Sequence, residues 1–309
     1  MRLTELLGIG RKYAPIPDFS AQSFDPFDPA SGGFKKQPIL CTIEMARLRG
    51  LQPLAFGYDD SGRHPYVLSL ADSLVTGRPS YAGSALEYFY EIWRPANAAE
   101  LLGLTGPDTG RALREMSPEI RVWPWIDTAV ETLLGEHRAF VDSFKGKLYP
   151  GKQFNGPKSA EVGSRNYRRL VKVMNAIRRW GYWRTNRDTG DIDGIVLTRG
   201  RDWTLFVLRG QHRSAALAAL GYRKALVRVL NAHPVDRDQV EAWPNVRNGL
   251  FTAREAAQLF DRIFEARQPP NFPWLSWSSF DTRSPFLSPA VSAASGPGHL
   301  DRTGTRAGR

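Results

Sequence analysis

The pattern of apolar and polar positions is clearest between residues 151 and 231, where helical and strand periodicities alternate. A helix is predicted over 164–182, and its apolar inner stripe consists of Tyr167, Leu170, Val171, Met174 and Ile177. Two strands joined by a turn at 199–202 follow, then a helix over 214–220 and a closing strand within 225–230. This order predicts an α+β fold, a small mixed sheet with packed helices.

Residues 61–144 are predicted to form a mostly helical region. Apolar side chains recur at helical spacing in 63–77, which Gly77 ends, and in 84–93, where Pro95 stops the helix. A short helix is predicted within 95–104, and a further one covers roughly 126–140. The high aromatic content of this region is typical of a core, and stacking on a sugar or a base is the alternative.

The two ends of the chain lack this periodicity. Residues 1–60 are rich in Pro, Gly, Asp and Phe, which predicts an irregular N-terminal arm on the surface of the main body, in which 37–50 can contain a short strand or helix. The α+β domain is assigned to 145–267, and its C-terminal helices are a short one in 235–243 and a longer one with a capping box of Thr252 and Glu255. A disordered tail is predicted over 268–309, in which the aromatic stretch NFPWLSWSSF can still dock.

Composition narrows the class of protein. The chain of 309 residues has one cysteine, Cys41, which excludes an internal disulfide framework and a cysteine-based zinc site. His64 and His137 have no partner at a metal-ligand spacing, so no protein-bound metal is predicted. Since we find neither a signal peptide nor an apolar run of roughly 18 to 20 residues, we expect a cytoplasmic protein without membrane insertion.

The positive charge is concentrated in one block. The net charge is +11, yet residues 145–228 alone hold 19 Lys and Arg against 5 Asp and Glu, so the rest of the chain is net negative. A block of this kind indicates a phosphorylated or polyanionic partner. The alternative is an arginine-rich helix face that is merely solvated.

The most informative stretch is VLRGQHRSAAL, which places Gly210, Gln211, His212 and Arg213 between a buried strand and a helix of small residues. The first backbone N–H groups of such a helix lack partners and carry partial positive charge. Gly210 removes a side chain that would block close approach, Arg213 can grip phosphate oxygens with a fork of hydrogen bonds, and His212 can donate or relay a proton. These features favour a phosphate pocket over a purely structural turn.

The longer stretch VLRGQHRSAALAALGYRKALVRV resembles the signature of the ParB/sulfiredoxin-like superfamily. In that family a strand leads into a Gly-x-[His/Arg]-Arg loop, a helix of the Ala-Ala-x-x-x-Leu-Gly type and another strand. The spacing of Ile177 and Gly181 before the predicted hairpin fits too, so the resemblance covers roughly 145–231. It implies that a nucleotide phosphate binds to the residues of the loop and helix start, which here are Gly210, Gln211, His212, Arg213 and Ser214.

Departures from the family pattern select among its activities. Sulfiredoxins carry a reactive cysteine where Gln211 stands, and Cys41 is expected to lie far outside the domain. Chromosome-partitioning members carry Gly-Glu-Arg-Arg and a helix-turn-helix domain that we do not find. Relatives with His before the motif Arg are small-molecule kinases, which need a carboxylate to deprotonate the acceptor hydroxyl, and the candidates are Glu161, Asp191 and Asp193.

We therefore expect a protein that binds ATP, ADP or CTP with Mg²⁺ and transfers or hydrolyses a phosphoryl group, with Glu161 and Asp193 as catalytic carboxylates. The alternative is a non-catalytic nucleotide-sensing or nucleic-acid-binding module. Lys152, Lys158 and Arg165 lie in or beside a Gly- and Pro-rich loop that can close over a nucleotide or remain solvated. The helical region 61–144 and the segment 241–267 also resemble uncharacterised bacterial proteins with this domain that are encoded beside surface-polysaccharide genes.

Overall fold

The computed structural model of the chain describes residues 16–31, 37–59, 63–107, 109–144, 151, 154–182, 191–230 and 234–281. The strands are β1 (Asp18–Ser23), β2 (Ile39–Glu44), β3 (Leu48–Gly50), β4 (Phe56–Gly57), β5 (Ile192–Arg199), β6 (Asp202–Arg209), β7 (Lys224–Val229) and β8 (Val235–Asp236). They form one eight-stranded sheet in the order β1-β2-β7-β5-β6-β3-β4, and β8 pairs with β5. The sheet is mixed, because β5 runs antiparallel to β6 and parallel to β7.

Helices connect and cover these strands. They are α1 (Pro65–Thr76), α2 (Ala85–Ile92), α3 (Ala98–Leu102), α4 (Arg111–Glu115), α5 (Val130–Asp142), α6 (Ala160–Trp180), α7 (Gln211–Ala219), α8 (Pro244–Arg247), α9 (Ala253–Phe264) and α10 (Trp274–Asp281). Short 3₁₀ turns lie at Pro29–Ser31, Met45–Arg47, Gln52–Leu54 and Arg237–Ala242. Within the ranges that the structure describes, every helix is too short or too polar to cross a bilayer.

The two faces of the sheet bury separate apolar clusters. Along β6, Leu205 and Val207 point to one side and Phe206 points to the other, as strand alternation requires. The first side, called here the motif face, is covered by α1, α2, α6, α7 and α10. The opposite face is covered by α3, α4, α5 and α9, together with a group of tryptophans that includes Trp123.

The predicted order of helix, strand hairpin, helix and strand is confirmed between 160 and 229. The β5–β6 turn lies at Gly200, whose φ is +59°. Helix α7 begins at Gln211, three residues before the predicted start, and the capping box of Thr252 and Glu255 forms at the start of α9. In contrast, the short helix predicted in 235–243 is a two-residue strand followed by a 3₁₀ turn.

The prediction of an irregular surface arm over residues 1–60 is wrong for most of its described part. Strand β2 pairs along its length with β7, and β3 pairs with β6, so this segment supplies both sides of the central sheet. Cys41 therefore lies inside the same sheet as the motif rather than far outside the domain. It has no exposed surface, and burial raises the pKa of its thiol, which makes it an unreactive core residue.

The chain remains packed beyond residue 268, where the sequence predicts a disordered tail. Helix α10 inserts Trp277 into the motif face with no exposed surface, and its indole Nε1 donates to the Arg63 carbonyl at 3.1 Å. Phe272 is also buried beside it, with ring centroids 6.3 Å apart. Residues 282–309 lie outside the described part of the chain, as do residues 1–15 of the predicted arm.

Candidate functional site

The loop between β6 and α7 is shaped by the backbone of its own sheet. Gly210 has a left-handed backbone with φ +88° and forms the N-cap of α7. A Cβ atom there would lie 2.7 Å from the Ile192 Cα atom and 2.9 Å from the Asp191 carbonyl oxygen. Glycine is therefore required so that the loop can pack against the start of β5. The position that a Cβ atom would occupy faces the protein rather than a ligand.

The first turn of α7 leaves part of its backbone free for an anion. The N–H groups of Arg213 and Ser214 both donate to the Gly210 carbonyl, at 2.8 and 2.9 Å. For the N–H groups of Gln211 and His212, the described residues provide no acceptor. The side chains of His212 and Arg213 are half-buried at this position, so both can reach a ligand at the helix start.

Gln211 is an anchor rather than a ligand-binding side chain. Its Oε1 accepts hydrogen bonds from the Leu51 N–H and the Tyr58 hydroxyl, both at 2.8 Å, and its Nε2 donates to the Val207 carbonyl at 2.8 Å. Leu51 has φ +51°, which is unusual for a branched residue and is stabilised by this bond. The predicted phosphate contact of Gln211 is therefore limited to its backbone N–H.

Ser214 also points away from solvent. It has no exposed surface, and its hydroxyl donates to the Gly210 carbonyl at 3.3 Å. Its small side chain lets α7 pack closely on the sheet, where Ala215 and Ala216 are likewise buried. Of the predicted phosphate-binding side chains, only those of His212 and Arg213 face the helix start.

His212 lies at the centre of a cationic and aromatic cluster. Its ring stacks on Tyr66 of α1, with centroids 5.4 Å apart and planes 13° apart. Burial, and then the positive charges of Arg169 and Arg213, lower the pKa of His212 to about 4. The imidazole is therefore neutral near neutral pH, and it offers one N–H donor without adding charge.

Arg169 and Arg213 bring two guanidinium groups to this cluster from different helices. Arg169 is exposed on α6 and Arg213 is half-buried on α7. Neither forms an ion pair with a carboxylate among the described residues. The positive charges of both act on His212, at a helix start where two backbone N–H groups lack an acceptor among the described residues, and such an arrangement suits an anion.

Asp191 is an acidic residue that the fold brings beside the motif. Its backbone packs against Gly210, and its side chain is 5 % exposed. Burial raises the pKa of the neighbouring Tyr182 hydroxyl, on which the charges of Asp191 and Arg213 also act. That hydroxyl accepts a hydrogen bond from the Ile192 N–H at 3.3 Å, so Tyr182 holds the start of β5 beside the loop.

Asp193, predicted to be catalytic, is instead part of a buried ion-pair triad across three strands. It lies opposite Arg209 of β6 and Arg228 of β7 in the sheet register. Its Oδ1 accepts from the Arg228 Nε at 2.9 Å, and its Oδ2 accepts from Arg228 Nη2 at 2.8 Å and Arg209 Nε at 2.6 Å. Both oxygens are thus occupied and the residue is 1 % exposed, so the triad joins strands rather than activating a substrate.

Glu161, the other predicted catalytic carboxylate, lies away from the motif. It is exposed in the first turn of α6, two helical turns before Arg169. There it lines an open groove of about 980 Å³ between α6 and the segment before α2, and Tyr81, Tyr167, Arg168 and Lys172 line the same groove. None of the loop residues 210–214 lines this groove, so the fold does not bring Glu161 and the motif into one pocket.

The basic residues of the predicted closing loop have separate environments. Lys158 is mostly buried and lies 3.8 Å from Glu119, and burial lowers the pKa of its ammonium group. Arg165 is exposed on α6, and Lys152 lies outside the described residues. The structure therefore does not bring these three cations together over the motif.

Sequence reasoning missed Tyr66 and Tyr182, and it did not single out Arg169 from the other arginines of α6. A search of the described residues finds no group of three or more His, Cys, Asp or Glu side chains able to hold a metal ion. A divalent cation at this site would therefore depend on a ligand's phosphates for most of its coordination. No protein-family model, no curated protein and no solved structure matches this chain.

Proposed function

We propose that the chain binds the phosphate groups of a nucleotide at the N-terminus of α7, as a ParB/sulfiredoxin-like protein would. The observation that carries the proposal is that the positive charges of Arg169 and Arg213 both act on the neutral, stacked His212 at the start of α7. In this arrangement the two guanidinium groups contact phosphate oxygens, and the backbone N–H groups of Gln211 and His212 complete the cradle. Tyr66 supports the His212 ring from behind and fixes its orientation.

The two carboxylates predicted to be catalytic do not lie at the phosphate cradle. Asp193 is held by two arginines and Glu161 lines a different groove, so neither is available as a base at the phosphate cradle. We therefore propose a non-catalytic nucleotide-binding module as the first candidate function. Phosphoryl transfer or hydrolysis with Mg²⁺ is a second candidate function, favoured by the packing of the Asp191 backbone against Gly210, which brings an acidic residue beside the loop.

Calorimetric titration with ATP, ADP and CTP in the presence of Mg²⁺ tests the proposal. We expect binding of at least one nucleotide, and we expect Arg213→Gln and Arg169→Gln each to weaken it about 10- to 150-fold, as loss of a charge-assisted hydrogen bond does. The matched control is Arg178→Gln, an exposed arginine on α6 away from His212. Absence of binding heat with all three nucleotides, or equal affinity of the Arg213 and Arg178 variants, contradicts the proposal.

Catalysis is tested separately on the same protein. If Asp191 serves as a base, the wild type releases or transfers labelled phosphate, and Asp191→Asn abolishes that activity while it leaves nucleotide affinity within about threefold. Thin-layer separation of the reaction products measures both outcomes. Binding without any turnover would leave the non-catalytic reading as the function.

A further inference from the structure

Five cations of α6 form a continuous stripe on the outer surface of the motif face, called here the basic stripe. Its members are Arg165, Arg168, Arg169, Lys172 and Arg179, and all five are exposed. At about 100° per residue they fall within an arc of roughly 100°, and at 1.5 Å per residue they extend over about 21 Å. Arg178 is also exposed, but it lies about 140° around the helix from Arg165.

Several other arginines of the described chain, unlike the basic stripe, are paired with carboxylates. Arg199 and Arg237 both pair with Asp261, and Arg209 and Arg228 share Asp193. Among the described residues, no carboxylate forms an ion pair with any member of the stripe. Glu161 lies one turn before the stripe and Glu87 lines the neighbouring groove, so both of these carboxylates lie near its N-terminal end.

Aromatic side chains flank the stripe at both ends. At the N-terminal end, Arg168 and Lys172 share the open groove with Tyr81 and Tyr167, and the Tyr81 ring lies directly over Gly163. At the C-terminal end, Trp180 is 63 % exposed and carries the Arg179 guanidinium at 4.6 Å from its ring centroid. The part of this indole that remains exposed can stack on an unpaired base.

We propose that the basic stripe, with Tyr81 and Trp180 at its ends, binds a single-stranded nucleic acid. The cations contact phosphates along the strand, since a length of about 21 Å is several times the roughly 3.4 Å rise per phosphate of a stacked strand. Unpaired bases turn toward the aromatic rings, which a duplex does not allow because its bases are stacked on each other. The site shares Arg169 with the phosphate cradle of α7, but its other four cations lie outside the cradle, so it stands whether or not a nucleotide binds there.

Fluorescence anisotropy of a labelled oligothymidylate, titrated between about 50 and about 200 mM salt, tests the inference. With five phosphate contacts we expect a slope of log affinity against log salt of about −3.5. The slope should change to about −1.4 in a triple variant that combines Arg165→Gln, Arg168→Gln and Lys172→Gln. The control Arg178→Gln should leave the slope unchanged. Trp180→Ala weakens binding of the single strand about 5- to 150-fold, as loss of one stacked base does.

Three results would overturn the inference: no binding at the lowest salt, the same salt slope in the triple variant as in Arg178→Gln, or equally tight binding of a duplex or of polyglutamate. The triple variant omits Arg169, so its nucleotide affinity should equal that of the wild type. This separates the two proposals, because either can fail alone. Should the triple variant unfold, as judged by circular dichroism, Arg179→Gln with Trp180→Ala makes the same test at the other end of the helix.

Discussion

Replacing Gly210 by alanine separates the two constraints that shape the motif loop. The left-handed backbone at φ +88° costs an alanine about 1 to 2 kcal/mol. The added Cβ atom would also lie 2.7 Å from the Ile192 Cα atom, and overpacking against a fixed backbone costs about 1 to 3 kcal/mol more. We therefore expect Gly210→Ala to lower the free energy of unfolding by about 2 to 5 kcal/mol.

Gly221→Ala is the matched control, because Gly221 also has a left-handed backbone, with φ +77°, but has nothing within 4 Å of its Cβ position. Only the backbone cost of about 1 to 2 kcal/mol applies there. Urea unfolding followed by circular dichroism gives both free energies from the midpoint and slope. Equal losses in the two variants would show that the loop does not press against the start of β5, and the account of Gly210 as a packing residue would be refuted.

Three further predictions concern buried groups. Asp193→Asn should lower the free energy of unfolding by about 3 to 5 kcal/mol, because it leaves buried guanidinium charge uncompensated. The control Asp202→Asn, in an exposed ion pair, should lower it by under about 1 kcal/mol. Similar losses in the two variants would contradict the role of the triad. Burial lowers the pKa of His64 to about 3. Below about pH 6.5 the unfolded chain therefore binds a proton at His64 that the folded chain does not bind, and the free energy of unfolding decreases as the pH decreases. Between about pH 7 and about pH 5 the wild type should lose about 2 kcal/mol more than His64→Asn, and equal losses would exclude this cause. Trp277→Ala should lower the free energy of unfolding by about 3 to 5 kcal/mol, because Trp277 has no exposed surface. The control Leu275→Ala, at a side chain 92 % exposed, should lower it by under about 0.5 kcal/mol. Equal melting temperatures of the two variants would mean that α10 does not dock.

Local signals predicted the elements around the motif well. The apolar stripe of α6, the hairpin of β5 and β6, and the capping box of Thr252 and Glu255 each depend on residues close together in sequence. Their periodicities and caps are visible in a single segment, so the predicted order of elements is confirmed there.

The remaining features depend on partners that are distant in sequence. Strand β2 is a short apolar run that gains its partner β7 only in the folded chain, so composition alone suggested an irregular arm. Gln211 is anchored by Leu51, and Asp193 is paired across three strands, and neither relation has a local signature. The residue type alone can suggest that a carboxylate is catalytic, but only the register of the sheet determines whether its oxygens already accept hydrogen bonds from neighbouring strands.

The placement of β2 beside β7 also bears on how the protein is made. Ile39 pairs with Val229, so β2, which leaves the ribosome early, waits for a partner strand about 190 residues later. At roughly 5 to 20 residues per second, that interval lasts about 10 to 40 seconds. During it the hairpin of β5 and β6 can form alone, but β1 pairs with only one edge of β2, and the other edge stays open and attracts other chains. Slower translation should therefore raise the need for chaperones in the first half of this chain more than in the second.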